Sequence, residues 1–432
     1  MQTVETQTLK PVFDALAKAN TRPFLVGPNG TSLAFTVSLL IRNIDSSQAN
    51  SSNLQLSPGT HLPQSWVILT PTHDEAEQFC QDLHFFHNLL GLSTETIAFF
   101  PNRGTAPYEA TRPSVDLVAQ RMRTLFRLHE QQPTVVITTP GAALQRLVPC
   151  TTFANSCLSL KIGSVIDRET LITHLLRIGY RRGSAVEIPG EFSVRGGIVD
   201  IFSTFESEPY RIEFLGDTVE STRRFDPDSQ ESTENVMNAH ILPAREYLIP
   251  LDQTDSDLPT LAPDAEWQSP TLYKTMNTLL EYFTEQPFIL MDRPLNLAHE
   301  AQTIWEELLQ TWDQLEQLHT SVPYPEPDAH FLIWEELQAQ MISSPVVATD
   351  VVPPTQEDCM QVIPLSFRSP KSIGLGLRGT SFTETLKILE QQRMQGPVTI
   401  VVRSASQVGR LLALFAEHQA PAIEGKPSPH ST

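Results

Sequence analysis

Short apolar runs alternate with helix-length segments through the first third of this 432-residue chain. The runs are Pro23–Val26, Trp66–Thr70, Thr96–Phe100 and Thr134–Thr138. Between them lie segments of helical length, roughly Leu33–Ile44, Asp74–Leu90 and Ser114–Glu130. Antiparallel strands can be joined by a two-residue turn, whereas parallel strands need a crossover about as long as a helix. The alternation therefore predicts a parallel α/β sheet. A helix precedes it: Leu9, Val12, Phe13 and Leu16 fall at i, i+3, i+4 and i+7, one apolar face. The polar, turn-rich stretch "DSSQANSSNLQLSPGTHLPQ" reads as a surface loop.

The first run ends in "FLVGPNGTSLAF", where Gly27 and Gly30 suggest the entry to a phosphate-cradling loop. Such a loop needs G-x-x-x-x-G-K-[ST], with lysine on the β/γ-phosphates and the hydroxyl on Mg²⁺. Counted from Gly27, those last three places hold Ser32, Leu33 and Ala34. Both the cation and the metal ligand are missing, so the stretch reads as a strand-to-helix turn that keeps its glycines for backbone reasons. "THDEAEQF" (Thr72–Phe79) has the look of a metal-binding Asp-Glu motif. It opens a helix, however, and acidic residues favour that end of the dipole.

From about residue 158 the pattern changes. "LSLKIGSVI" and a helix in "DRETLITHLLRIGY" lead into "SAVEIPGEFSVRGGIVDIF" and "YRIEFLGDTVESTRRFDP". Tyr210, Ile212 and Phe214 share one parity and Arg211 and Glu213 the other, a half-buried strand. Gly216-Asp217 supplies a hairpin turn. An antiparallel meander with one helix, a separate small α+β domain, is expected here. Gly196-Gly197, set inside a strand pattern, marks a bulge or a close backbone approach.

Charge narrows the function. The net charge of −20 argues against broad nucleic-acid binding, because phosphate contacts need Lys and Arg. Residues 251–340 carry 17 Asp/Glu against Lys274 and Arg293, while residues 160–225 are near neutral, with nine Lys/Arg against ten Asp/Glu. Any basic recognition surface lies in that middle region. Within it, Arg181, Arg182 and Arg195 accompany Glu191 and Phe192, both taken as exposed. Arginine beside an aromatic is the usual composition of a protein-interface hot spot; a solvated strand face with ordinary ion pairs is the alternative. Cys80, Cys150, Cys157 and Cys359 fall at no metal-ligand spacing and read as reduced thiols, the N-terminus shows no signal-peptide pattern, and no run is long enough to span a bilayer. A cytoplasmic protein without membrane contact is expected. No H-E-x-x-H or G-x-S-x-G occurs.

"GEFSVRGGIVDIF", "YRIEFLGDTVESTRRFDPDSQ" and "ILPAREY" closely resemble the second domain of the transcription-repair coupling factors (Mfd) and the corresponding domain of the excinuclease protein UvrB. "FFPNRGTAPYEATRPSVDLVAQRMRTLFRL" and "VVITTPGAALQRLVP" resemble the same family. The resemblance is strong over about residues 95–245 and extends loosely to 432. It implies an α/β multidomain fold: a degenerate P-loop (RecA-like) domain over 1–157, a UvrB-type interaction domain inserted at 158–245, and an acidic, mostly helical remainder at 246–345. A linker at 346–372 and the truncated start of a third α/β domain at 373–432 would follow. It implies docking of the damage-recognition protein UvrA through Arg181 or Arg182, Glu191, Phe192 and Arg195, with Gly196-Gly197 shaping the strand. It implies no catalytic residue, metal or cofactor in this chain, since ATP and Mg²⁺ belong to the family's motor module. RNA polymerase and DNA would be reached through modules beyond this chain. Asn102-Arg103-Gly104 departs from the family, which tends to an acidic and aromatic pair there. Two readings stay open beside it: an active UvrB-type ATPase, and a free-standing UvrA-binding adaptor.

Overall fold

The computed structural model describes residues 2–16, 22–48, 63–204, 206–250, 265–318, 324–353, 360–365, 381–394 and 405–422, with positions 367, 398 and 400. Contacts divide the chain into two compact units: residues 1–59, 81–95 and 349–432 form one, and residues 60–80 and 96–348 the other.

In the first unit the strand Arg22–Val26 pairs in parallel with Met360–Pro364. The helix Gln2–Leu16 buries Leu9, Val12 and Phe13, as the i, i+3, i+4 spacing requires. Gly30–Gln48 is the helix after the glycine loop, its Phe35 ring 5.1 Å from Phe86. Residues 346–372, expected as a linker, instead hold strands at Val346–Asp350, whose first three residues belong to the second unit, and Met360–Pro364. The β-branched run Val346-Val347 is buried, and that burial fixes residues which turn composition alone assigns to a linker. Helices Phe382–Arg393 and Ala405–Glu417 occupy the expected third domain, but they cluster with the first unit. Most of the strand expected between them lies outside the described residues, as do Cys359 and most of the loop at 45–64.

In the second unit, Phe288–Asp292, Trp66–Leu69, Val135–Thr138 and Ile97–Phe100 run parallel, in that spatial order. Three of these are the apolar runs read from sequence. Within 246–345, expected to be mostly helical, Phe288–Asp292 is a strand: "FILMD" is buried along its whole length, and its acidic surroundings hid it. The helices His73–Leu90 and Val115–His129 match the expected segments. Asp74 and Glu75 do lie in the first turn of His73–Leu90, and Glu75 pairs with Arg293 at 2.7 Å. "IWEELLQ" and "IWEELQAQ" lie in the helices Pro294–Leu318 and Trp334–Gln340.

The α+β part of this unit starts with β1 (Leu158–Lys161) and α1 (Arg168–Arg177). Then come β2 (Arg181–Arg182), β3 (Glu191–Arg195), β4 (Ile198–Ile201), β5 (Tyr210–Leu215), β6 (Thr218–Phe225), β7 (Ser232–Asn235) and β8 (Asn238–Ile241). β2 to β7 form one sheet in chain order, antiparallel except where β2 meets β3; β8 pairs with β1. One face buries Phe192, Val199, Ile201, Tyr210 and Ile212 in a core with Leu171 and Leu175 of α1. The alternation along each strand sends the intervening residues to the outer face.

Candidate partner-docking site

The outer face of the β2–β7 sheet is a ladder of charge. Glu191 on β3 accepts from Arg181 on β2 at 3.3 Å and from the backbone N–H groups of Glu187 and Ile188, which fixes the loop before it. Asp200 on β4 is buried and takes both forks of Arg211 on β5, at 2.8 and 3.0 Å. Arg195 reaches the same carboxylate only at 3.9 Å, with about half its side chain exposed. Further across, Glu213 accepts from Arg223 and Ser221. Arg211 and Arg223 are therefore committed within the sheet, whereas Arg195 keeps most of its donors for solvent or a partner.

The turn between β3 and β4 presents Arg195. Arg195 pairs with Ile198, so Gly196-Gly197 is a two-residue hairpin turn rather than a bulge inside a strand. Gly196 lies in the left-handed region at φ +58°, and Arg168 of α1 donates to its carbonyl. At Gly197 the close approach is real: a Cβ there would sit 3.0 Å from the Phe214 carbonyl oxygen. Gly216-Asp217 makes the expected turn between β5 and β6.

Of the residues read as contacts, Arg181, Arg182 and Arg195 are exposed and Glu191 is half-buried. Phe192 is not available. It is fully buried, sharing its parity with Val194 on the core side, while Glu191, Ser193 and Arg195 take the other parity. A partner cannot reach that ring without opening the domain core. Arg168, missed by the sequence reading, holds the turn; only its place at the start of a helix could have hinted at it.

Asn102-Arg103-Gly104, expected to depart from the family, contains a buried arginine. Arg103 is buried and donates to Glu246 at 2.9 Å, and Arg121 binds the same carboxylate through two nitrogens. Burial alone would raise the Glu246 carboxyl, but the two guanidiniums outweigh it and hold it near 2 instead of 4.5. Next to it, Arg245 and Glu266 form a second buried pair. "AREY" thus belongs to the interior. Tyr108 is also buried, among Trp267, Tyr324 and His330.

In the first unit, Gly27 has φ +114° and Gly30 φ +48°. A Cβ at Gly27 would lie 2.3 Å from the Leu365 carbonyl oxygen, so backbone reasons hold the glycine there. Ser32 turns its hydroxyl back to Asn29, donating to the carbonyl at 2.8 Å. Thr31 donates to Asp82 at 2.7 Å. Leu33 and Ala34 are fully buried in the places where a phosphate loop carries its lysine and hydroxyl.

The family pattern of the UvrB interaction domain matches residues 158–247. That stretch is similar to a UvrB interaction domain. The chain is similar to transcription-repair coupling factors. Those of Myxococcus xanthus (28% identical over 312 residues, 64% of this chain) and Escherichia coli (34% over 154 residues, 36% of this chain) are examples. The Bacillus subtilis protein is 33% identical over 159 residues, 37% of this chain. The matched parts make up 26% of the Myxococcus protein and 13% of each of the other two, so the chain spans about a quarter of such relatives at most. Among the described residues, no helix is long and apolar enough to cross a membrane, and no group of His, Cys, Asp and Glu could hold a metal ion.

Proposed function

We propose that this chain is a docking module for UvrA in transcription-coupled nucleotide excision repair, the interaction domain receiving UvrA on the outer face of its sheet. The observation that carries the reading is Arg195. It stands on the hairpin of a UvrB interaction domain, half-exposed, beside an Asp200 already neutralised by Arg211. A guanidinium so placed offers a planar fork to a partner carboxylate. In such a role the rest of the chain is scaffold, and the loop at Gly27–Ala34 holds neither ATP nor Mg²⁺. Contacts with RNA polymerase and DNA, and the ATP-driven motor, belong on this reading to other modules of the family. The ATPase reading is disfavoured by Leu33, a buried apolar side chain where the chemistry needs a cation.

Titration of the whole chain with UvrA tests it. Arg195→Ala is expected to cost about 2 kcal/mol of binding, roughly thirtyfold, if the residue lies at the interface centre. Arg195→Lys should rescue only in part. An exposed ion pair stabilises a fold by about 1 kcal/mol at most, so both variants should melt close to the parent. Equal binding by parent and folded Arg195→Ala would remove Arg195 from the site; no binding by the parent would end the docking proposal.

A further inference from the structure

The burial of Phe192 leaves the arginines without the apolar anchor that a protein hot spot needs beside them. The register supplies another. Arg195 lies opposite Ile198, and Ile198 opposite Glu213 on β5. Two residues further along the same face of β5 comes Leu215, which is 70% exposed. Leu215 lies opposite Thr218, and Thr218 in turn bridges to Val165, 77% exposed. Residues paired across antiparallel strands share a face, as do alternate residues along one strand. The outer face therefore ends in a row that runs from the cation at Arg195 through half-buried Ile198, past Glu213, to Leu215, Thr218 and Val165 at the far side.

Single exposed apolar residues are ordinary, but aligned ones that continue a charged recognition row are not. We infer that Ile198, Leu215 and Val165 form the apolar half of the docking surface, and that UvrA meets this strip with a carboxylate and a bulky apolar side chain roughly 10 Å apart, two strand spacings. This rests on the docking reading above. Charge complementarity selects such a segment. Arg195 closes one end of the strip with a half-exposed guanidinium that a partner carboxylate complements, while a second copy of this chain, itself at net charge −20, is repelled as a whole.

The test uses the whole chain titrated with UvrA. Leu215→Ser and Val165→Ser remove apolar surface without changing charge, and at these exposures should leave melting unchanged. Each is expected to weaken binding about tenfold. If both bind like the parent while Arg195→Ala is weakened, the apolar strip is refuted and docking stands. If the parent does not bind UvrA, the docking reading fails and takes this inference with it. Dimerisation of the parent by light scattering, abolished by Leu215→Ser, would also overturn it by assigning the strip to self-association.

Discussion

Replacing Phe192 with alanine separates a core role from a docking role. The ring is fully buried on the strand next to the short edge strand β2, its backbone paired with Arg182 on one side and Ile201 on the other. It packs in the cluster that holds Val199, Ile201, Tyr210 and the apolar face of α1. Truncation loses the transfer free energy of the ring and leaves a cavity that a paired sheet cannot collapse to fill. Such changes cost about 3–5 kcal/mol. Since about 1.4 kcal/mol is a factor of ten, at least a hundredfold of the folded-to-unfolded ratio should go. Urea unfolding of the whole chain, followed by circular dichroism, should show the transition of the interaction domain moved to lower urea. Phe192→Leu should lose far less. Binding of UvrA should survive in Phe192→Ala wherever the protein is still folded. An unchanged midpoint together with lost binding would refute this, and would place the ring at the interface.

Removing one partner of a buried ion pair costs about 3–5 kcal/mol, so Glu246→Gln should destabilise strongly, because it strands Arg121, which is fully buried. Glu246 is held near 2 in the fold against about 4.5 unfolded, so its contribution is complete above about pH 4.5 and lost as the pH falls through 2. Thermal melts between pH 6 and 2 should fall more steeply for the parent than for Glu246→Gln, and parallel curves would contradict the assignment. In the glycine loop, calorimetric titration of the parent with ATP and Mg²⁺ should be flat; Leu33→Lys should lower stability by burying an unpaired charge rather than create a nucleotide site. Micromolar ATP binding abolished by substitution at Gly30 would overturn that reading.

Periodicity carried most of the architecture. Runs such as "WVIL" and "VVIT" are strands because they are β-branched, short and bounded by turns, all of which is local information. The same logic failed for "FILMD" only because the charge of its surroundings outweighed five residues in the composition of the segment. At the candidate docking site, "EFSVR" does contain its own correction. Glu191 and Phe192 are neighbours on one strand and cannot both face outward, and Val194 shares the parity of Phe192. The charge ladder was not legible. Asp200 meets Arg211 across a hairpin whose register no sequence window states, and so the difference between a committed Arg211 and an available Arg195 appears only in the fold.

The buried charges bear on how the region that begins with β1 and ends with β8 is held to the rest of its unit. β1 and β8 pair with each other, so the chain enters and leaves the interaction domain at adjacent points. A domain attached only there could turn about its two connections. Immediately after β8, Arg245 and Glu246 go into the interior, where Glu246 is gripped by Arg121 from the helix Val115–His129 and by Arg103. Arg123 of that helix adds a hydrogen bond to the Thr204 carbonyl at 2.8 Å. Well-packed apolar residues would give comparable stability, since desolvation offsets much of the attraction between buried charges. Their packing is non-directional, however, whereas two guanidiniums on one carboxylate admit a single orientation. Arg103, from the loop Asn102-Arg103-Gly104, therefore acts inside this chain, on the carboxylate that follows β8.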